Sequence, residues 1–206
     1  MSTWFNLSTA RGTMQCYSCA PYFPYRVDGE RNPKFDRHSG LILSSKSAQE
    51  RNFGHALNYF SDMLLGQISQ WNLEGLRPTG SDPRLTQGRA FVDVIIVPSS
   101  KVGKVSDGLT QIMTKVCARD KRLSINNGAL HRFREINKLA SGGNRDAHVH
   151  QGSIMLRSGC NLSDVVILID DVCTSGNSLI ACCEIIQSAS PSSTVVGIVL
   201  GKTTHD

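Results

Sequence analysis

The run Val165–Ile169, VVILI, is apolar at every position, and two aspartates, Asp170 and Asp171, follow it directly. A strand with one face in water alternates apolar and polar residues. A run without alternation must be covered on both faces, as a central strand of a parallel sheet is. AFVDVIIVP at 90–98 and STVVGIVLGKT at 193–203 have the same continuous character. Helical stretches separate them, Gly103 to Arg122 and GNSLIACCEIIQSA at 176–189, with a short strand LSI at 123–125. Apolar strands alternating with helices predict an α/β fold, a parallel sheet of about five strands flanked by helices. In open sheets of this kind ligands sit where the C-terminal strand ends meet the following loops.

The chain ahead of this core reads differently. YFPYRVDGERNPKFDRHSGLILS reads as strand, turn and strand, with Asp28-Gly29 and Asn32-Pro33 as breakers. Phe53, Leu57, Phe60, Leu64 and Ile68 recur at helical spacing, and Ser47 with Glu50 stands before them in a capping-box relation. Asn72 to Arg89 is thick with Gly, Pro, Asp and Ser and reads as a loop. GALHRFREINKLASGGNRDAHVHQGSIML, at 128–156, reads as a long irregular excursion with some helical character. His148 and His150 within it are spaced to point the same way on a strand. The chain therefore divides into residues 1–89, an N-terminal part of hairpin, helix and loop, and residues 90–206, the core.

Composition narrows the classes of function. With 40% hydrophobic and 19% charged residues in 206, the chain is an ordinary globular protein and not a disordered one. No apolar run approaches the roughly 20 residues of a membrane span, and MSTWFNLSTARGTMQ lacks the layout of a signal peptide. A cytoplasmic location without a membrane partner is the expectation. Seven cysteines, an odd number, then point to reduced thiols. Cys16-Tyr-Ser-Cys19 could supply half of a zinc site, completed by His38 or His55, but no second CxxC is present. Between Lys101 and Arg145 ten basic residues stand against three acidic ones, which favours a polyanionic partner. That partner is a phosphorylated small molecule or a nucleic acid; over Lys115 to Arg122 the charges read better as a solvated helix face.

Two strand ends carry the chemistry. After VDVIIV come Pro98, Ser99, Ser100, Lys101, Val102, Gly103 and Lys104, which offer hydroxyls, a cation and a glycine that permits close backbone approach. After VVILI come Asp170 and Asp171, then Thr174, Ser175, Gly176, Asn177 and Ser178 leading into a helix. Main-chain N–H groups at a helix N-terminus bind phosphate, and the hydroxyls add hydrogen bonds. Two ionised carboxylates would repel that phosphate unless they faced something else. Ribose hydroxyls and hydrated Mg²⁺ are the natural partners. Recognition of a ribose 5-phosphate is the chemistry implied.

VVILIDDVCTSGNSL resembles the phosphoribosyl-pyrophosphate (PRPP) loop of the type I phosphoribosyltransferases, with Cys173 where a larger aliphatic residue is usual. VIIVPSSKVGK is similar to the pyrophosphate loop of the same family. The resemblance implies that fold, with an N-terminal hairpin and helix as a hood. It implies that Asp170 and Asp171 hold the ribose hydroxyls and, through water, Mg²⁺. Thr174, Ser175, Gly176, Asn177 and Ser178 would wrap the 5′-phosphate, while Ser99, Ser100 and Lys101 touch the leaving pyrophosphate. A cis peptide bond entering Lys101 is implied too. Arg132 and Arg134, with Lys138 and Arg145, fall in the segment that closes over PRPP in that family. The nearest likeness is to the ComF-type branch: LHRFREINKL and GGNRDAHVHQGSIML take the place of its arginine-containing segments, and Lys46 resembles the lysine after its N-terminal strand.

The reaction so implied is transfer of phosphoribose from Mg-PRPP to an acceptor with release of pyrophosphate, with Asp170, Asp171 and Lys101 as catalytic residues. Little sequence follows VLGKTTHD to build a base pocket, so ordinary purine or pyrimidine salvage is not the expected chemistry. A second reading is a non-catalytic PRPP, nucleotide or single-stranded nucleic-acid accessory, as in DNA uptake. A third is an effector of an immunity or toxin system. Self-association into a homo-oligomer is a further expectation.

Overall fold

The computed structural model describes residues 2–77, 90–136 and 147–204. Within it, a seven-stranded sheet carries helices on both faces. Three antiparallel or edge elements begin the chain: β1 (Thr3–Thr9) pairs antiparallel with β2 (Gly12–Ser18), and a two-residue β3 (Pro21–Tyr22) follows. A small hairpin, β4 (Arg26–Val27) and β5 (Glu30–Arg31), stands apart and turns at Asp28-Gly29, both at positive φ. The helices α1 (Arg37–Ser44) and α2 (Phe53–Ile68) come next. The remaining elements are β6 (Val92–Ile96), α3 (Asp107–Arg119), β7 (Leu123–Ile125), β8 (Leu130–Arg132), α4 (Ala147–Gln151), β9 (Ile154–Leu156), β10 (Val165–Cys173), α5 (Asn177–Ala189) and β11 (Thr194–Thr203).

The sheet order is β1-β2-β11-β10-β6-β7, and every neighbouring pair after the first is parallel. Val165, Val166, Ile167, Leu168 and Ile169 are all 0% exposed, as their unbroken run requires. Each such side chain contributes roughly 1.5–3 kcal/mol by leaving water. Alternation along the strands divides the interior into two clusters. Val92, Val94, Ile96, Val165, Ile167 and Ile169 pack with α1, α2 and α3 on one face. Ile95, Val166, Leu168 and Val199 pack with α5 on the other. Asp93 is the second residue of β6, at 7% exposure, and its carboxylate accepts the Ser163 N–H at 2.7 Å. A buried acid inside an apolar strand is thus satisfied.

The N-terminal residues depart from the pattern their sequence suggests. GLILS is not a strand: Asp36 accepts the Ser39 N–H at 2.8 Å and caps α1, which buries Leu41 and Ile42. Helix α2 starts at Phe53, later than a Ser47/Glu50 capping box requires. Ser47 Oγ instead accepts from Gln49 N at 3.3 Å in a turn of its own. Strands β1 and β2 lack a clear sequence signal, yet β2 extends the parallel sheet by pairing with β11. Helix α3 begins at Asp107, capped by Ser106, so Gly103 to Val105 remain loop. The expected excursion at 128–156 contains an antiparallel pair, β8 and β9, and the short α4; residues 137–146 lie outside the described residues.

Candidate functional site

Strands β6 and β10 are adjacent and parallel, but the chain leaves them in opposite directions. From β6 it crosses through α3 to β7 at one edge, and from β10 through α5 to β11 on the other side. The two helices pack on opposite faces. A crevice therefore opens at the C-terminal ends of β6 and β10, the topological switch point where open α/β sheets bind ligands. Two hollows lie there. A cleft of about 300 Å³ is lined by Lys46, Ser99, Ser100, Arg132, Asp171 and others, and a small hollow of about 50 Å³ is lined by residues 172–179. Asp170, Ser178 and His150 line both.

The strand does not stop at the acids: β10 runs through Asp170 and Asp171 to Cys173. Its alternation sends the carboxylates to opposite faces. Asp171 Oδ2 meets Lys46 Nζ at 2.6 Å and its Oδ1 accepts the Val172 N–H at 2.7 Å. Asp170 Oδ1 accepts the Asp171 N–H at 2.8 Å. Burial, and then the negative charge of Asp171, pushes the Asp170 carboxyl well above the usual carboxylate range. Burial acts to lower Lys46, but the charge and hydrogen bond of Asp171 outweigh it and hold the ammonium above its ordinary value.

The loop after β10 has the form of an anion cradle. Gly176 adopts a left-handed backbone with φ 81° and precedes α5 with no side-chain cap hydrogen bond. Asp170 and Asp171 do not cap that helix; they bond main-chain N–H groups of their own strand. Thr174 and Ser175 are exposed, and with Gly176, Asn177 and Ser178 they surround the small hollow. The helix N-terminus supplies partial positive charge there.

The loop after β6 is held by its own hydrogen bonds. Ser99 N donates to Lys104 O at 2.9 Å, Lys101 N donates to Ser99 Oγ at 3.3 Å, and Gly103, at φ 65°, donates to Arg132 O at 3.2 Å. Ser99 and Ser100 line the cleft. Lys101 does not: it is exposed and outside the lining. The peptide bond entering it is trans, as every described peptide bond is, which corrects the expected cis bond. The loop reaches its shape through the positive-φ turn at Gly103.

Arg132 also differs from expectation. It is not on a mobile closing segment but on β8, at 1% exposure, beneath the loop after β6. Its Nε donates to Ser99 O at 2.5 Å, and its other nitrogens reach Ser153 Oγ and, at 3.3 Å, His150 Nδ1. Arg134 is exposed and not in the lining, and Lys138 and Arg145 lie outside the described residues. His148 and His150 are on a helix, α4, where a spacing of two residues sends side chains apart. His148 is exposed and His150 is 3% exposed, facing the crevice. Two residues thus gain weight, Lys46 and His150. Lys46 had a sequence signal in its place after LILSS, and His150 in its spacing from His148, which was read on a strand and not on a helix.

The metal expectations differ in their fit. For Mg²⁺ the donor set is right in kind, since carboxylates and hydroxyls are oxygen donors and Mg²⁺ keeps most of its water. Asp170 would hold the ion's hydration shell, with Asp171 tied to Lys46. Zinc at Cys16 and Cys19 does not fit. The two side chains lie in different clusters on opposite faces of the sheet, and burial pushes each thiol up to about 12. Zinc binds thiolate, not thiol. Among the described residues no group of three or more His, Cys, Asp or Glu comes together to hold a metal.

Elsewhere, a broad shallow hollow of about 750 Å³ lies between α2 and the end of α3. Four of its charges pair with one another, Arg119 with Asp62 and Arg122 with Asp120, each at 2.7 Å, and Lys121 is exposed beside them. It offers no converging chemistry. No helix among the described residues is long and apolar enough to cross a membrane. No protein-family model matches the chain, and no curated protein matches it.

Proposed function

We propose that this chain has a type I phosphoribosyltransferase fold, binds PRPP or a related ribose 5-phosphate with Mg²⁺, and transfers phosphoribose to an acceptor with release of pyrophosphate. One observation carries the reading: two polar hollows flank a carboxylate at the switch point between β6 and β10 and share Asp170, Ser178 and His150. A sugar with a phosphate at one end and a pyrophosphate at the other needs that layout. The small hollow, at the uncapped N-terminus of α5, takes the 5′-phosphate. Asp170 accepts from a ribose hydroxyl. The larger cleft, with Ser99, Ser100 and Lys46 on its wall, takes the pyrophosphate.

In this reading the chain's work is positioning and electrostatics. Ser99 and Ser100 donate to pyrophosphate oxygens as charge grows on the leaving group. Asp171 keeps Lys46 charged and oriented beside that group. Bound Mg²⁺ would add charge neutralisation at the phosphates. Lys101, exposed at the rim, steers the anion from solution rather than touching it at rest. The test is calorimetry of Mg-PRPP against wild type and the Asp170→Asn/Asp171→Asn double variant. It is paired with a screen for pyrophosphate release across bases, nucleosides and oligonucleotides. Unchanged PRPP affinity in the double variant overturns the assignment. Binding without release for any acceptor replaces the transferase by a sensor, and salt-steep binding of single-stranded DNA at the basic loops marks an accessory of nucleic acid.

A further inference from the structure

Arg132 and His150 lie under the crevice at 1% and 3% exposure, and between them they touch both anion loops. Arg132 Nε holds Ser99 O in the loop after β6. Its guanidinium reaches Ser153, whose hydroxyl bonds Val149 O and His150 O at 2.9 Å, so α4 is anchored from the same point. His150 Nδ1 lies 3.3 Å from the guanidinium. Arginine can only donate, so Nδ1 is the acceptor and the neutral ring carries its proton on Nε2. Ser178 Oγ, in the first turn of α5 beside the small hollow, lies against the same ring, 3.4 Å from Nδ1 and 3.5 Å from Nε2. A continuous chain of contacts, Ser99 to Arg132 to His150 to Ser178, buried at its two middle members, therefore spans the crevice.

We propose that this chain of contacts couples the two hollows: an anion that orders the loop at 174–178 draws on Ser178, fixes the His150 ring and Arg132, and so sets the Ser99 carbonyl and the loop that receives the second anion. His150 and Arg132 are positioning residues, and the proposal rests on the reading of the two hollows given above. Two anions bound close together repel unless the protein links them. Positive coupling is therefore the signature of the chain.

The experiment titrates Mg²⁺-pyrophosphate by calorimetry with and without saturating ribose 5-phosphate. In wild type the sugar phosphate should tighten pyrophosphate binding by at least about fivefold, the lower end of ordinary coupling, and linkage requires the same factor in reverse. In His150→Leu the ratio should fall to about one, whatever happens to either single affinity, because leucine can neither accept from Arg132 nor form a polar contact with Ser178. His150→Gln carries both an acceptor and a donor and should restore the ratio. A melting curve for each variant shows that it is folded. Coupling that survives His150→Leu, or is missing in wild type although both ligands bind, overturns the proposal alone. Failure of both ligands to bind wild type overturns the site reading with it.

Discussion

A methyl group added at Gly108 tests how Lys46 is placed. Gly108 is the second residue of α3, and a Cβ built there would lie 1.8 Å from the carbonyl oxygen of Ser45 and 2.9 Å from its carbon. Real Cβ contacts stay beyond 3.0 Å, so a buried backbone group, with Ser45 at 2% exposure, must retreat by more than 1 Å. Overpacking costs about 1–3 kcal/mol, and the upper end applies because the obstacle is main chain rather than a rotatable side chain. In a chain of this size that loss lowers the melting temperature by about 6–12 °C. Ser45 is the residue before Lys46, so the displacement also pulls the ammonium away from Asp171. Gly66→Ala is the control: α2 has nothing within 4 Å of that position, and removing a helix-interior glycine should stabilise by up to about 1 kcal/mol. Urea and thermal unfolding of both variants, with Mg-PRPP titration of the first, measure the contrast. If Gly108→Ala melts within about 2 °C of wild type, α3 does not abut Ser45 and the placement of Lys46 fails with it.

Asp170→Asn should separate stability from binding. Because the folded carboxyl is raised above its ordinary 3.8, wild-type stability from this group is full below that pH and is lost as pH rises through the raised value. The asparagine variant should therefore gain on wild type between pH 4 and pH 8 in urea titrations while losing Mg-PRPP affinity; a variant less stable than wild type at pH 8 contradicts the buried-charge argument. Gly176→Ala should cost about 1–2 kcal/mol for the left-handed backbone alone. It also presses its Cβ within 2.6 Å of Leu7 Cδ2, so phosphate affinity should fall, and unchanged phosphate titrations would show that the loop is not the cradle. The thiols of Cys16 and Cys19, pushed up to about 12, and of Cys173, up to about 11, should resist iodoacetamide at neutral pH and react in urea. Mass mapping that finds Cys16 labelled first would refute its burial at 0% exposure.

The central layer and the two strand-end loops were legible from residue types because continuous apolar runs have one stable setting, covered on both faces. VVILI, AFVDVIIVP and the helices after them needed no tertiary knowledge to be placed, and the hydroxyls and glycine at 174–178 announced an anion loop. Lys101 stands outside the cleft lining, which its sequence position could not tell, because a sequence gives the order of a loop's residues and not the direction each side chain takes. The alternation of β10 past Ile169 decides that Asp170 turns toward the α5 face and Asp171 toward Lys46. His150 was noticed but set on the wrong element for a related reason: the same spacing of two means one face on a strand and different faces on a helix, and only packing chose between them. Cys16, on β2, and Cys19, just past its end, pack into two separate clusters once β2 joins the sheet, an outcome that the CxxC spacing alone could not show. Residue chemistry along the chain determined that an α/β sheet covered on both faces forms, with polar, glycine-containing loops at two of its strand ends. Which charges meet, and which are buried together, was decided by long-range strand pairing, because those contacts join positions as distant as Ser99 and Arg132, or Lys46 and Asp171.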